Sequence, residues 1–246
     1  MSVLACLDEF VRQMRAFGTI DELASALDHV TNLLGFDHYE VAEHANLRAR
    51  PSPIRLHSYP ENLARRFKAE QLGGIHPIHR ASRQTSVGFT WEEVRQLIEL
   101  TQRERRFLAA AADHGIVSGF TVPANVPGEI CGSCSFTGQS PISTPGVRPV
   151  AQLAGAFAFE AARRLWHGAP LVVGDARLTD RERDCVIWVG RDKSDWEIAT
   201  ILGISAETVV CHVKNARRRY RVHKRTSLIV RTLFDGTITF RDLLKW

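Results

Sequence analysis

No stretch of this chain approaches the roughly 18 consecutive apolar residues that span a bilayer. Its opening, MSVLACLDEF, carries acids where a secretory leader would carry bases. Export and membrane insertion are therefore not expected, and a cytoplasmic protein with no membrane partner is. Cysteine is sparse: five among 246 residues, odd in number and scattered, which fits reduced thiols rather than a disulfide framework. Cys131-Gly-Ser-Cys134 is a CxxC pair, but no second ligand pair lies nearby and structural zinc normally takes four ligands. The surrounding EICGSCSFTG reads as a strand, on which residues three apart point to opposite faces. Two ordinary buried thiols are expected, with no warrant for a metal or a cofactor. Internal repeats and low-complexity tracts are also lacking.

What is present is charge in an uneven place. Residues 175–246 hold 15 Lys and Arg against 10 Asp and Glu, whereas residues 1–174 hold 17 of each. The excess of +5 therefore belongs to the C-terminal third, where a polyanion would bind. The length accommodates one large domain or two ordinary ones, with cores that need no disulfide or metal.

Within that basic third, SDWEIATILGISAETVVCHVKNARRRY reads as helix, tight turn, helix. Ser194 is a good N-cap for a first helix through Leu202, Gly203 supplies the turn, and Ser205 caps a second helix. In the second helix Val209, Val213, Ala216 and Tyr220 form one narrow apolar stripe. Cys211, Lys214 and Arg218 lie roughly opposite, with Val210 and Asn215 towards the sides. A helix buried along one edge and cationic along the other suits the major groove of DNA. The plainer alternative is a solvated amphipathic helix in a small bundle.

The N-terminal half alternates helix and strand. VLACLDEFVRQMRAF has helical spacing, and Thr19 with Glu22 forms a capping box for a second helix bearing Leu23, Leu27, Val30 and Leu34. Strands are expected at 38–42, 54–59, near 89–91, at 119–123 and at 129–137. Pro60 opens a short helix, and His76-Pro77 bends into another. A long helix is expected from Glu92 to His114, closed by Gly115. The last helix, Val147 to Trp166, carries Val150, Leu153, Phe157, Ala161 and Leu165 at helical spacing. Such a pattern gives an α/β sandwich with a mostly antiparallel sheet. His167 to Ala176 reads as a linker.

The segment from Leu178 to Arg231 resembles the four-helix DNA-binding domain of LuxR-type transcription regulators. The likeness runs through Leu178-Thr179, Arg181-Glu182, Lys193-Ser194, Glu197-Ile198-Ala199, Leu202-Gly203-Ile204-Ser205, Thr208-Val209 and His212-Val213-Lys214-Asn215. Two positions depart from it: Asp192 stands where a helix-ending Gly is usual, and Glu207 replaces a common basic residue. Residues 5–165 resemble, more thinly, the ligand-binding domain of the same regulators, which sense N-acyl homoserine lactones. That likeness rests on Tyr59-Pro60, Pro77, Trp91 fifteen residues beyond His76, GFTVPANVPGE from Gly119, Gly132 and Ser135. The expected organisation is a ligand-binding and dimerisation domain over 1–166, a linker over 167–176 and an all-α four-helix helix-turn-helix domain over 177–246.

The resemblance implies a pocket between sheet and helices, apolar for an acyl chain and with a few polar groups for the head. Tyr59 and Ser135 stand where the family bonds the acyl carbonyl, and Trp91 where an indole packs on the ligand head. Leu63 replaces a tryptophan that reaches the lactone carbonyl, Phe67 replaces a tyrosine, and His76 replaces an aspartate that accepts the amide N–H. Each missing hydrogen bond is worth on the order of 1 kcal/mol in a dry pocket. An atypical small molecule, or none, is therefore expected in place of a standard acyl-homoserine lactone. His76 reads as a pocket residue or as a loop histidine; Leu63, Phe67 and Phe107 read as pocket lining or as core.

On the DNA side, Lys214 and Val210 are expected to read bases, while Thr208, Arg217, Arg218, Lys224 and Arg225 position the phosphate backbone. Two recognition helices held about 34 Å apart would read an inverted repeat, so a homodimer is expected, with the Val147–Trp166 helix a candidate contact. An N-terminal enzyme built on Ser135 with His114, or on the CxxC, lacks a nucleophile elbow or triad context. A phosphoreceiver lacks its early acidic cluster and its repeating βα pattern.

Overall fold

The computed structural model describes residues 3–14, 16–44, 53–61, 64–65, 76–126, 130–140, 146–168 and 177–244. Leu63, Phe67, most of the helix expected after Pro60 and nearly all of the expected linker lie outside these residues. The chain divides into two compact units, Met1–Pro170 and Leu171–Trp246.

The first unit is built on a five-stranded sheet in the order β2-β1-β5-β4-β3, every pairing antiparallel. Its strands are β1 (His38–Glu43), β2 (Arg55–His57), β3 (Phe89–Thr90), β4 (Ser118–Ala124) and β5 (Gly132–Gly138). Helices α1 (Val3–Met14), α2 (Ile20–Leu33) and α6 (Val147–His167) share one core with the sheet, through Phe10, Leu23, Leu27, Val41, Phe120, Val122, Cys134 and Phe136. The capping box that opens α2 forms as expected: Thr19 Oγ1 accepts from the Glu22 N–H at 3.3 Å and Glu22 accepts from the Thr19 N–H at 3.1 Å.

Helix α6 meets the sheet through small residues. Ala151, Ala154, Gly155, Ala158 and Ala162 are buried, and a Cβ on Gly155 would sit 2.7 Å from Val122 Cγ2. That close approach is made along the alanine and glycine face. Of the stripe expected from spacing, Val150 and Ala161 are buried, Phe157 and Leu165 are half-buried, and Leu153 is 47% exposed.

Three elements between β2 and β4 complete the unit: α3 (Pro77–Ser82), α4 (Val94–Leu97) and α5 (Gln102–Ala112), with a 3-10 turn at Trp91–Glu93. The single helix expected from Glu92 to His114 does not form. Ile98 is extended (φ −146°, ψ 149°), and Thr101 then starts α5 with its own capping box to Glu104. That Thr-x-x-Glu signature is a start signal inside the apolar periodicity, and it won. Cys131 likewise precedes β5 rather than sitting in it and is only half-buried, whereas Cys134 is fully buried.

The second unit contains α7 (Asp180–Gly190), α8 (Asp195–Leu202), α9 (Ala206–Arg219), α10 (Arg225–Phe234) and the one-turn α11 (Phe240–Leu243). Helices α8 and α9 are bent 106° apart across Gly203, whose φ is +65°, within the usual range for a helix-turn-helix. Ser194 and Ser205 cap α8 and α9 as expected. Val209, Val213, Ala216 and Tyr220 are buried with Cys185, Val186, Ile198, Leu228 and Ile238. Among the described residues no single helix is long and apolar enough to cross a membrane.

Asp192 has the left-handed backbone (φ +61°) that its position implied. The Lys193 N–H donates to Trp188 O at 3.0 Å, the bond of a Schellman cap in which glycine is usual at the left-handed residue. Replacing Asp192 by Gly removes the Cβ penalty at that residue and offsets it partly with unfolded-chain freedom. The expected outcome of Asp192→Gly is a helical unit more stable by about 0.5–1 kcal/mol in chemical denaturation; a loss of stability would contradict this origin of strain.

Candidate functional site

The register of the sheet sorts its side chains onto two faces. Phe120, Val122, Cys134 and Phe136 face α6 with Tyr39 and Val41. The opposite face carries a polar row, since Glu40 lies across from both His57 and Ser135, and Ser135 across from Thr121. Every residue of β5 is nonetheless buried, so these polar groups have to find partners inside.

Thr121 is the hub of one set. Trp91 Nε1 donates to Thr121 Oγ1 at 3.1 Å, and Thr121 Oγ1 lies 2.9 Å from Ser135 Oγ. Gly119 makes room for the indole, because a Cβ there would stand 2.8 Å from Trp91 Nε1. Tyr59 is buried with Ala111 and Ile116 against Trp91, and its ring stacks on His57 at 5.6 Å. Burial, then the nearby Glu40 charge, pushes the Tyr59 hydroxyl well above the usual phenol range, with a Thr137 hydrogen bond opposing.

A second set is a column of imidazoles. His44 stacks on His79 at 4.0 Å, His79 on His76 at 4.2 Å, and the edge of His76 meets Phe107 at 4.5 Å. His76 is the N-cap position of α3, turned into the protein by Pro77, and is not a free loop residue. His44 and His76 are held neutral, mainly by burial, with pKa values pushed down to about 3. Glu40 is 6% exposed, and burial raises its carboxyl above the usual range despite Arg55.

Tyr59, His76, Trp91, Phe107 and Ser135 are therefore gathered on this side of the sheet. Thr121, Glu40, His44, His79 and Arg55 join them without having been singled out from the sequence. Strand alternation would have found Thr121 and Glu40; His79 follows from His76 by one helical turn. Ser135 and His114 do not form a catalytic pair, because Ser135 bonds Thr121 and the His114 ring bonds Ala110 O at 2.9 Å.

On α9 the apolar stripe is buried, and Thr208, Val210, Cys211, Lys214 and Arg218 are exposed. Thr208 is tied to the cap, its hydroxyl 3.0 Å from Ser205 Oγ. Arg217 is half-buried and donates to His223 O at 2.8 Å. Lys224 is exposed at the start of α10, but Arg225 is held by Asp195 through contacts of 2.7 and 2.6 Å. Arg225 thus joins α10 to α8, and its charge is already partnered.

A polar, buried sheet face in one unit and a helix-turn-helix with an open cationic edge in the other define a two-part regulator of the ligand-responsive, DNA-binding kind. Residues 19–162 match the family model "Autoinducer binding domain" and residues 176–232 match "Bacterial regulatory proteins, luxR family". The chain belongs to the LuxR family of bacterial regulators and is a quorum-sensing-type, ligand-responsive transcription regulator. It is similar to the HTH-type quorum sensing-dependent transcriptional regulator RpaR of Rhodopseudomonas palustris, at 26% identity over 217 residues, 88% of each chain. Its fold is similar to that of Escherichia coli SdiA (TM-score 0.60, 21% identity), covering 99% of this chain and 100% of that one. The same fold similarity extends to SdiA in complex with octanoyl-rac-glycerol (TM-score 0.60, 22% identity, 97% and 98% covered).

Neighbouring arginines of α9 have separate work. Both Arg218 and Arg219 are exposed, but Arg219 reaches the buried Glu182 carboxylate at 3.0 Å. Arg219→Ala is expected to cost about 1 kcal/mol of stability by removing this ion pair, the Glu182 carboxylate keeping the Thr179 N–H. Arg218→Ala should stay within about 0.5 kcal/mol of the parent and weaken DNA binding instead. Parallel thermal melts and DNA titrations check the contrast, and a reversed order would refute it.

Proposed function

We propose that this regulator acts as a homodimer on an inverted-repeat operator, under the control of a small molecule that is not a standard N-acyl homoserine lactone. The observation that carries the DNA half is the division of α9, with Val209, Val213 and Ala216 buried while Lys214 and Arg218 stand in solvent. Lys214 bonds a guanine edge and Val210 touches a thymine methyl. Arg217, Arg218, Lys224 and Thr208 hold the backbone. Arg225 contributes less than its neighbours, since a phosphate must compete with Asp195. Two such helices, about one turn of DNA apart, supply the specificity that a single module lacks.

The ligand half rests on Tyr59, His76, Trp91, Phe107 and Ser135, gathered on the polar side of the sheet. Leu63 and Phe67 are kept as lining residues on the family resemblance. His76 in place of an aspartate cannot offer a carboxylate to an amide N–H, and a neutral imidazole both donates and accepts. That favours a head group of different polarity from an amide-linked lactone.

A second reading has an observation of its own. Trp91, Thr121 and Ser135 already satisfy one another, so this part of the unit has its hydrogen bonds complete without a guest. A regulator that folds and binds DNA unaided follows from that. Mass spectrometry of small molecules extracted from the purified protein separates the two: a stoichiometric guest supports the pocket, and an empty, operator-binding dimer supports the unaided regulator. Recovery of an acyl-homoserine lactone would refute the proposed ligand class.

For DNA, Lys214→Ala is expected to weaken specific binding by about 1–3 kcal/mol and to relax preference at one operator position. Binding measured across a set of single-base operator variants reads this directly, and an unchanged preference would remove Lys214 as a base reader.

A further inference from the structure

Nothing in the sequence pattern pointed to a metal, yet the fold assembles three donors from two separated segments. One carboxylate oxygen of Glu40 and one ring nitrogen each of His76 and His79 all lie within 4.8 Å of one another. Glu40 comes from the middle of β1, and the two histidines sit three residues apart on the first turn of α3, on the same side of that turn. We propose that Glu40, His76 and His79 bind a divalent first-row transition-metal ion.

The two histidines have unmet demand, and the carboxylate has a distant cation. The Nδ1 atoms of His76 and His79 are buried and have no hydrogen-bond partner among the described residues. Unsatisfied buried polar atoms are uncommon enough to require a reason. Glu40 is 6% exposed, and its nearest cation among the described residues, Arg55, stands 3.9 Å away, too far for a hydrogen bond. One dication would draw on the carboxylate and one nitrogen of each ring together.

The donor set also states a preference. Two imidazoles and a carboxylate suit zinc, cobalt, nickel or ferrous iron rather than calcium or magnesium. Bonds of about 2.0–2.1 Å place tetrahedral donors about 3.4 Å apart, so the group must contract by about 1.4 Å from its widest allowed spacing. Closing that distance takes the His76 and His79 rings out of their face-to-face stack at 4.2 Å by side-chain rotation. Three protein ligands leave an exchangeable position, open to water or to an oxygen of a bound molecule. His44, stacked on His79 and 2.9 Å from Ser133 Oγ, packs against that ring. Arg55, which is 35% exposed, opposes the ion and is placed to move aside.

The test uses the untagged full-length protein, stripped with a chelator and titrated with Zn(II) by calorimetry and with Co(II) by absorption. One ion per chain is expected, with a Co(II) spectrum more intense than that of the hydrated ion. Glu40→Gln and His79→Gln should each weaken binding by more than about 10-fold, since even residues supporting a ligand contribute that much. Arg55→Gln should tighten it by relieving repulsion, and Cys131→Ser should leave it unchanged, which excludes the thiol as the ligand. Absence of stoichiometric binding in the parent protein overturns the proposal without any variant. So does binding that survives Glu40→Gln, or that weakens in Arg55→Gln. The outcome is independent of which small molecule the regulator senses.

Discussion

The central strands β4 and β5 lie between two covered faces, and only one of those faces is apolar. Against α6 the constraint is simple: Phe120, Val122, Cys134 and Phe136 leave water against alanines and a glycine that let the helix approach closely. On the other side the same strands bury Thr121, Ser133, Ser135 and Thr137. Hydroxyls in that position lose water and must be repaid by partners within the protein. Trp91, bonded to Thr121, and His44, bonded to Ser133, are such partners, and Thr121 and Ser135 partner one another. The two faces of the sheet thus follow from period two, with one strand parity making the apolar core and the other the buried polar row.

The C-terminal unit obeys a different constraint, that of helix ends. Thr179, Ser194, Ser205 and Thr239 each accept from a backbone N–H at a helix start. Gly203, Asp192 and Arg221 adopt left-handed backbone at turns or helix ends. With the ends fixed so closely, the phase of α9 follows, and Lys214 and Arg218 fall opposite the buried stripe. Tyr220 then anchors the end of that helix through Asp235 at 2.6 Å and Thr237 at 2.7 Å.

This difference explains what could be read from the chain alone. The helix-turn-helix was legible almost residue by residue, because caps, turn and apolar spacing are all local. The sheet was legible as strands near the right places, but register is not local. Glu40, Thr121 and Ser135 become neighbours only once β1, β5 and β4 are paired. Histidines 44 and 79 come together through tertiary packing, for which no spacing rule exists. The long helix expected over 92–114 failed for an instructive reason: apolar periodicity carried on through a Thr-x-x-Glu start signal at Thr101 that should have interrupted it. Arg225 was read by its charge, whereas its partner Asp195, thirty residues earlier, decides its role.

The sheet's two border strands are its shortest, with Arg55–His57 on one side and Phe89–Thr90 on the other. So little unpaired backbone offers a poor template for another chain to extend the sheet. Strand-by-strand polymerisation through these two described edges is thereby discouraged.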